Sequence, residues 1–184
     1  MGKEAIEFEL KDIKSSDDVI VALRTVQQNQ VRLNVLADQK ANINIGFTLL
    51  FITLGQAPQL ASLSADALLN WGVILVTVAI AASLTLALLV VAPRVGGSRI
   101  REPGEMANPF YFGMFTQLDQ DSYVNHMLAN LNHDYDARRM LLVDIYQIGK
   151  VLQRKYRLLR FSYGFLALSA MLSAALYTYK TLSS

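Results

Sequence analysis

The sequence predicts an all-α membrane protein with three spanning helices, the first and third extended into the cytoplasm as helical stalks. A short cytoplasmic helix and a loop fall between the second and third spans. Three observations predict this class. Charged residues make up 17% of the 184 residues and hydrophobic ones 53%, but the charges are unevenly placed. Residues 41–93 hold a single formal charge, Asp66, and residues 161–179 hold none. Soluble domains carry about 25% charge throughout, so this chain joins an almost uncharged part to an ordinarily charged one. The third observation is the distribution of its 17 Lys and Arg, of which only Lys180 follows the last uncharged run.

Each element can be justified in order. Residues 1–14 mix charges without an apolar run, which is neither a signal peptide nor a helix stripe, and they read as a flexible tail. Ser15 and Asp18 have the spacing of an N-cap box. From there Val19, Leu23, Val26, Gln30, Leu33, Ala37 and Ala41 recur every three or four residues, with no Pro or Gly before Gly46. That is one helix, a cytoplasmic stalk over 15–40 running into a first span at 41–57. Gln30 is the polar exception in the stripe and reads either as a register-setting residue or as a tolerated edge position. At 1.5 Å per residue the first span reaches about 26 Å, near the lower limit for a ~30 Å hydrocarbon core.

Residues 58–70 form an external loop, and 71–92 the second and clearest span. Pro93, Gly96, Gly97, Pro103, Gly104 and Pro109 then break structure repeatedly, so 94–113 is a loop. Phe110, Tyr111 and Phe112 cluster on it, as a packed plug, an interfacial anchor or a platform for stacking a base. A short amphipathic helix is predicted over Leu118–Asn132, using Leu118, Tyr123, Met127, Leu128 and Leu131. Asp134 or Asp136 then caps a helix with Leu141, Ile145, Ile148, Leu152, Tyr156 and Leu159 on one face. It continues without proline into a third span at 161–179 and an external tail at 180–184. Gly149 within it suggests close helix packing. The two stalks must bury their stripes on each other or on neighbouring subunits.

Orientation follows the cations, since Lys and Arg are retained in the cytoplasm. Six precede the first span, ten lie between the second and third, and none lies between the first and second. The N-terminus is therefore expected in the cytoplasm and the C-terminus outside.

Composition excludes several functions. With no cysteine and only His126 and His133 as imidazoles, the chain offers no disulfide, Fe–S cluster, thiol nucleophile or multi-histidine metal centre. The glycine-rich phosphate loops are absent. Asp119 with Asp121, and Asp134 with Asp136, are two residues apart and so do not share a helix face. His126 and His133 are about 10 Å apart along a helix. Neither makes an acid–base pair, so no enzyme and no cofactor is expected.

Three segments resemble one known family. Ala37–Gly46 (ADQKANINIG), Asn108–Phe115 (NPFYFGMF) and Asp144–Phe165 (DIYQIGKVLQRKYRLLRFSYGF) occur in the order and membrane layout of the Pycsar-effector transmembrane family. The similarity extends over most of the chain, roughly Asp17 to Tyr179. It implies a bacterial anti-phage effector of the inner membrane, controlled by a nucleotide or short oligonucleotide from a partner cyclase or nucleotidyltransferase. Activation is then expected to depolarise the membrane and cause growth arrest or cell death. No separate cyclic-nucleotide-binding domain is present, so sensing falls to these helices and loop, or to a partner protein.

A three-span chain encloses no pore alone, so the leak that the resemblance implies needs a homo-oligomer, with a tetramer as the working expectation. In the first span Lys40, Asn44 and Thr48 share one face, with Phe51 and Ile52 beyond them. They read either as polar rings above an apolar constriction or, for Asn44 and Thr48, as hydrogen-bonding glue between helices. Asn34, Asp38 and Asn42 form an adjacent stripe. Candidate ligand-binding residues are Arg94, Arg99, Arg101, Tyr111, Arg138, Arg139, Lys150 and Arg154, because guanidinium forks suit phosphates and aromatic rings suit bases. Arg157 and Arg160 are the nearest to the bilayer and read best as anchors to lipid headgroups. Arg138 and Arg139 fall about 30 Å farther along the helix, beyond headgroup reach. Asp38, Asp144 and Lys40 are candidates for pairing between the stalks. The different-class alternative is a non-conducting adaptor, or a bilayer-disrupting protein, controlled by a cytoplasmic partner.

Overall fold

The computed structural model describes residues 17–56, 67–93, 108–131 and 134–183. Of these, 93% are helical and none is in a strand. Helix α1 spans Asp17–Phe51 and passes into a π-helical turn at Ile52–Gln56. Helix α2 spans Ala67–Val91, α3 is the single turn Phe112–Phe115, α4 spans Gln120–Leu131, and α5 spans Asp134–Ser183. The predicted external loop lies largely outside the described residues, as do the N-terminal tail and the Ser15 cap.

Two helices are long and apolar enough to cross a membrane, Leu69–Val91 within α2 and Asp136–Leu182 within α5. The expected first span is not a third among the described residues. Asn42, Asn44, Thr48, Thr53 and Gln56 dilute its apolar character.

The fold divides into two units. One comprises Asn34–Pro93 and Leu152–Ser184, the other Met1–Leu33 and Arg94–Val151. In the first, Ala37 and Ala41 of α1 pack with Val90 of α2 and Leu159 of α5, flanked by Tyr156 and Leu158. The alanines are one turn apart, and their small side chains let the helix backbones approach. The buried stripe of α2 runs Val73, Val76, Ile80, Ser83, Ala87 and Val90. On α5 Leu159, Ser162, Leu166, Ser169, Ser173 and Leu176 alternate three and four apart and are buried or half-buried. The opposite faces are also apolar: Phe47 and Leu50 on α1, Leu54 on the π turn, Trp71, Leu75 and Val78 on α2, and Phe161, Leu168 and Met171 on α5 are all exposed. A water-facing helix would carry charges there. An apolar outer face around a partly polar interior is the pattern of a helix bundle in lipid.

The second unit contains the first half of α1, α3, α4 and the first half of α5. Helix α4 begins two residues later than predicted, because Asp119 accepts the Ser122 N–H at 2.9 Å and caps it. Its predicted apolar face is only partly used. Tyr123 and Met127 are half-buried, but Leu128 and Leu131 are exposed. The half-buried Tyr123 ring stacks on Phe115, with centroids 4.9 Å apart. Gly149 faces the Gln30 amide, whose nitrogen would lie 3.6 Å from an added Cβ.

Candidate functional site

In the unit that holds α4, a cavity of ≈ 290 Å³ is lined by Ile20, Arg24, Gln27, Phe110, Leu131, Ala137, Arg138 and Leu141. Helical spacing places the wall residues. Ile20, Arg24 and Gln27 share one face of α1, and Ala137, Arg138 and Leu141 one face of α5. Among the described residues the lining is apolar apart from two guanidinium groups and one amide, with no acidic residue. Arg138 is 7% exposed, whereas Arg24 lies at the exposed margin.

Behind two of the wall residues lies a buried polar network centred on Asp144. The Gln27 amide donates to Asp144 Oδ2. Asn108 Nδ2 donates to Asp144 Oδ1 at 2.8 Å and to Gln147 Oε1 at 3.1 Å. Asn108 Oδ1 in turn accepts the Phe110 N–H at 3.0 Å, an Asx-type turn that fixes the backbone before α3. Pro109 follows Asn108 and restricts it to an extended conformation. The residues Asn108–Phe110 are thereby tied to α5, and Phe110 is brought to the cavity wall.

The predicted ligand-binding residues are dispersed. Arg138 lines the cavity. Tyr111 instead lies against Gly113, where an added Cβ would meet its ring at 2.6 Å, and packs on Phe112 with centroids 5.1 Å apart. Lys150 sits over the Tyr146 ring at 5.4 Å, and Arg139 and Arg154 are exposed. Arg94, Arg99 and Arg101 lie outside the described residues. Sequence reasoning missed Arg24, Gln27 and Phe110 as a group. The available signal was the face shared by Arg24 and Gln27 on α1, which a count of cations by membrane side does not register.

The five predicted pore residues also separate. Asn44 and Thr48 are fully buried within the protomer. Asn44 Nδ2 donates to Ser162 Oγ at 2.5 Å, and Thr48 Oγ1 donates to the Asn44 carbonyl at 2.7 Å. Lys40 is exposed, with its ammonium 5.6 Å from the Tyr156 ring centroid. Phe51 and Ile52 are half-buried at the junction with the π turn. Asp38, one of the three candidates for pairing between the stalks, pairs with Lys155 of α5 at 2.6 Å.

Among the described residues, no group of three His, Cys, Asp or Glu side chains is arranged to hold a metal. The model of one protein family, the Pycsar effector protein domain, matches residues 21–180. No curated protein and no solved structure matches the chain.

Proposed function

The chain belongs to the Pycsar effector family, and from that premise we propose that it is a homo-oligomeric, nucleotide-gated pore of the bacterial inner membrane. Effectors of this family act downstream of a cyclase-made cyclic nucleotide signal in anti-phage defence. The family match across residues 21–180 carries the reading, and the apolar outer faces of α2 and α5 support a membrane protein.

In this proposal α2 and the apolar part of α5 are two spans, and the end of α1 with its π turn is a short third. The N-terminus is cytoplasmic and the C-terminus outside, because reversal would translocate sixteen of the 17 cations. A tetramer is the assembly to test first. The conducting path runs along α1, with Lys40 at its cytoplasmic mouth and Phe51 and Ile52 at an apolar constriction that gates by dewetting. Asn44 holds that wall from behind through Ser162 of α5, and Thr48 bonds the Asn44 carbonyl within α1. Opening dissipates the membrane potential and arrests growth.

The test is current through planar bilayers containing the purified full chain, with cyclic mononucleotides added on the cytoplasmic side. Discrete, nucleotide-dependent currents are expected, and Phe51→Ala should raise the leak without nucleotide. An assembly that stays silent under every nucleotide, while co-expression with a cyclase still arrests cells, would replace the pore with a non-conducting adaptor or a bilayer-disrupting protein.

A further inference from the structure

We propose that the cavity between the first half of α1, Phe110 and the first half of α5 is the receptor for the signal, and that it takes one cyclic nucleoside monophosphate per protomer. The assignment rests on the nucleotide-gated reading above and gives that gating a location. Charge is the first argument. Among the described residues of the lining the ionisable ones are Arg24 and Arg138, both cationic, a lining that suits an anion. A guanidinium is also suited to the paired oxygens of a phosphodiester.

Size and shape are the second argument. The volume of ≈ 290 Å³ lies just below the usual range of ligand pockets, about 300–1,000 Å³. That scale suits a single nucleoside with its cyclised phosphate rather than a dinucleotide or a longer oligomer. Ile20, Leu131, Ala137 and Leu141 supply the apolar walls for a base and sugar, and Phe110 supplies an aromatic ring for stacking. The Gln27 nitrogen is committed to Asp144, which leaves its carbonyl oxygen to accept a donor from the base edge.

The third argument is the connection behind the wall. Gln27 and Phe110, two prospective ligand contacts, reach the same buried carboxylate: Gln27 directly, and Phe110 through Asn108. A ligand that shifts either residue changes the bonding of Asp144, which belongs to α5. Asp144 is thus a positioning residue, reporting occupancy to a helix that contributes residues to both units.

The experiment is calorimetric titration of the full chain in nanodiscs with purine and pyrimidine cyclic mononucleotides. Wild type, Arg24→Gln, Ala137→Leu and Asp144→Asn are compared, with melting temperature as the folding control. One cyclic mononucleotide should bind saturably at one per protomer. Arg24→Gln, at the exposed margin, should weaken it about tenfold or more without lowering the melting temperature. Ala137→Leu should abolish binding by filling the space. Glycerophosphoglycerol, a lipid-derived phosphodiester without a base, should not compete, and a cyclic dinucleotide should bind far more weakly. Asp144→Asn should retain binding within a few-fold but uncouple it from current. Unchanged affinity in both Arg24→Gln and Ala137→Leu would place the receptor elsewhere and leave nucleotide gating intact. Effective competition by glycerophosphoglycerol would make the cavity a lipid site. Cyclase-dependent growth arrest in cells, from a chain that when purified neither binds a cyclic mononucleotide nor conducts in its presence, would assign sensing to a partner protein.

Discussion

Ser83 and Ser162 donate to each other's backbone carbonyls, Ser83 Oγ to Ser162 O at 2.9 Å and Ser162 Oγ to Ser83 O at 2.7 Å. The Ser162 hydroxyl also accepts from Asn44 at 2.5 Å, so α1, α2 and α5 meet at one fully buried polar junction. Between membrane helices apolar burial offers little drive, and such bonds contribute about 0.6 kcal/mol each on average, up to about 1.7. Ser162→Ala breaks two of them and should lower stability by about 1–3 kcal/mol, whereas Ser169→Ala, which removes a bond to the Leu166 carbonyl of its own helix, should do less. Thermal unfolding in detergent measures the difference, and equal losses would remove the junction's special role.

Two glycines make opposite predictions. At Gly149 an added methyl would meet the Gln30 amide nitrogen at 3.6 Å, an ordinary contact. Gly149→Ala should therefore recover helix propensity and stabilise the chain by about 0.5–1 kcal/mol. At Gly72 the same methyl would collide with the Leu176 side chain, which must move. Gly72→Ala should destabilise by about 1 kcal/mol or more, and the double variant Gly72→Ala/Leu176→Ala should show less than the sum of its parts. Melting temperatures of wild type, Gly149→Ala, Gly72→Ala, Leu176→Ala and the double variant decide both.

What was legible in the sequence follows from what local pattern encodes. The uncharged run of α2 and the uninterrupted α1 and α5 are properties of single segments, and periodicity exposes them directly. Asn44 was recognisable as a polar residue with two uses. Nothing local identified Ser162 and Ser83 as its neighbours, because periodicity says which face is buried and not which helix covers it. Gly149 did indicate a close approach, and Gln30, the other anomaly, is what it faces. The cavity was the least legible feature, since Arg24, Phe110 and Arg138 come from three distant segments. Asn108 is the residue that joins them, through a carboxylate 36 positions later. Its signature, an Asn before Pro and three aromatics, read only as a loop with a cluster.

The Asp38–Lys155 ion pair joins α1 to α5 at 2.6 Å, with the lysine side chain 17% exposed and the aspartate 37%. Partial exposure keeps its contribution near the surface value of about 1 kcal/mol or less. Asp38→Lys should cost more than Asp38→Asn, because it sets like charges against each other. The exchange Asp38→Lys/Lys155→Asp should recover most of that loss. A double-mutant cycle in urea at low and high salt tests this. A coupling that does not shrink with salt would indicate a pair more deeply buried than its exposure implies.

Asp119 confers a pH dependence on the start of α4. The Ser122 backbone N–H and then its hydroxyl hold the Asp119 carboxyl below the usual carboxylate range, against a smaller opposing effect of burial. A carboxyl lowered on folding stabilises the helix above its unfolded pKa of about 3.9, and that stabilisation is lost as pH falls through the lower folded value. Protection of the α4 amides against hydrogen exchange should therefore hold at about pH 6 and decline below about pH 4. Asp119→Asn retains a capping oxygen but cannot titrate, so its protection should be lower at about pH 6 and flat across that interval. A variant that shows the same decline as wild type would remove Asp119 as the titrating group.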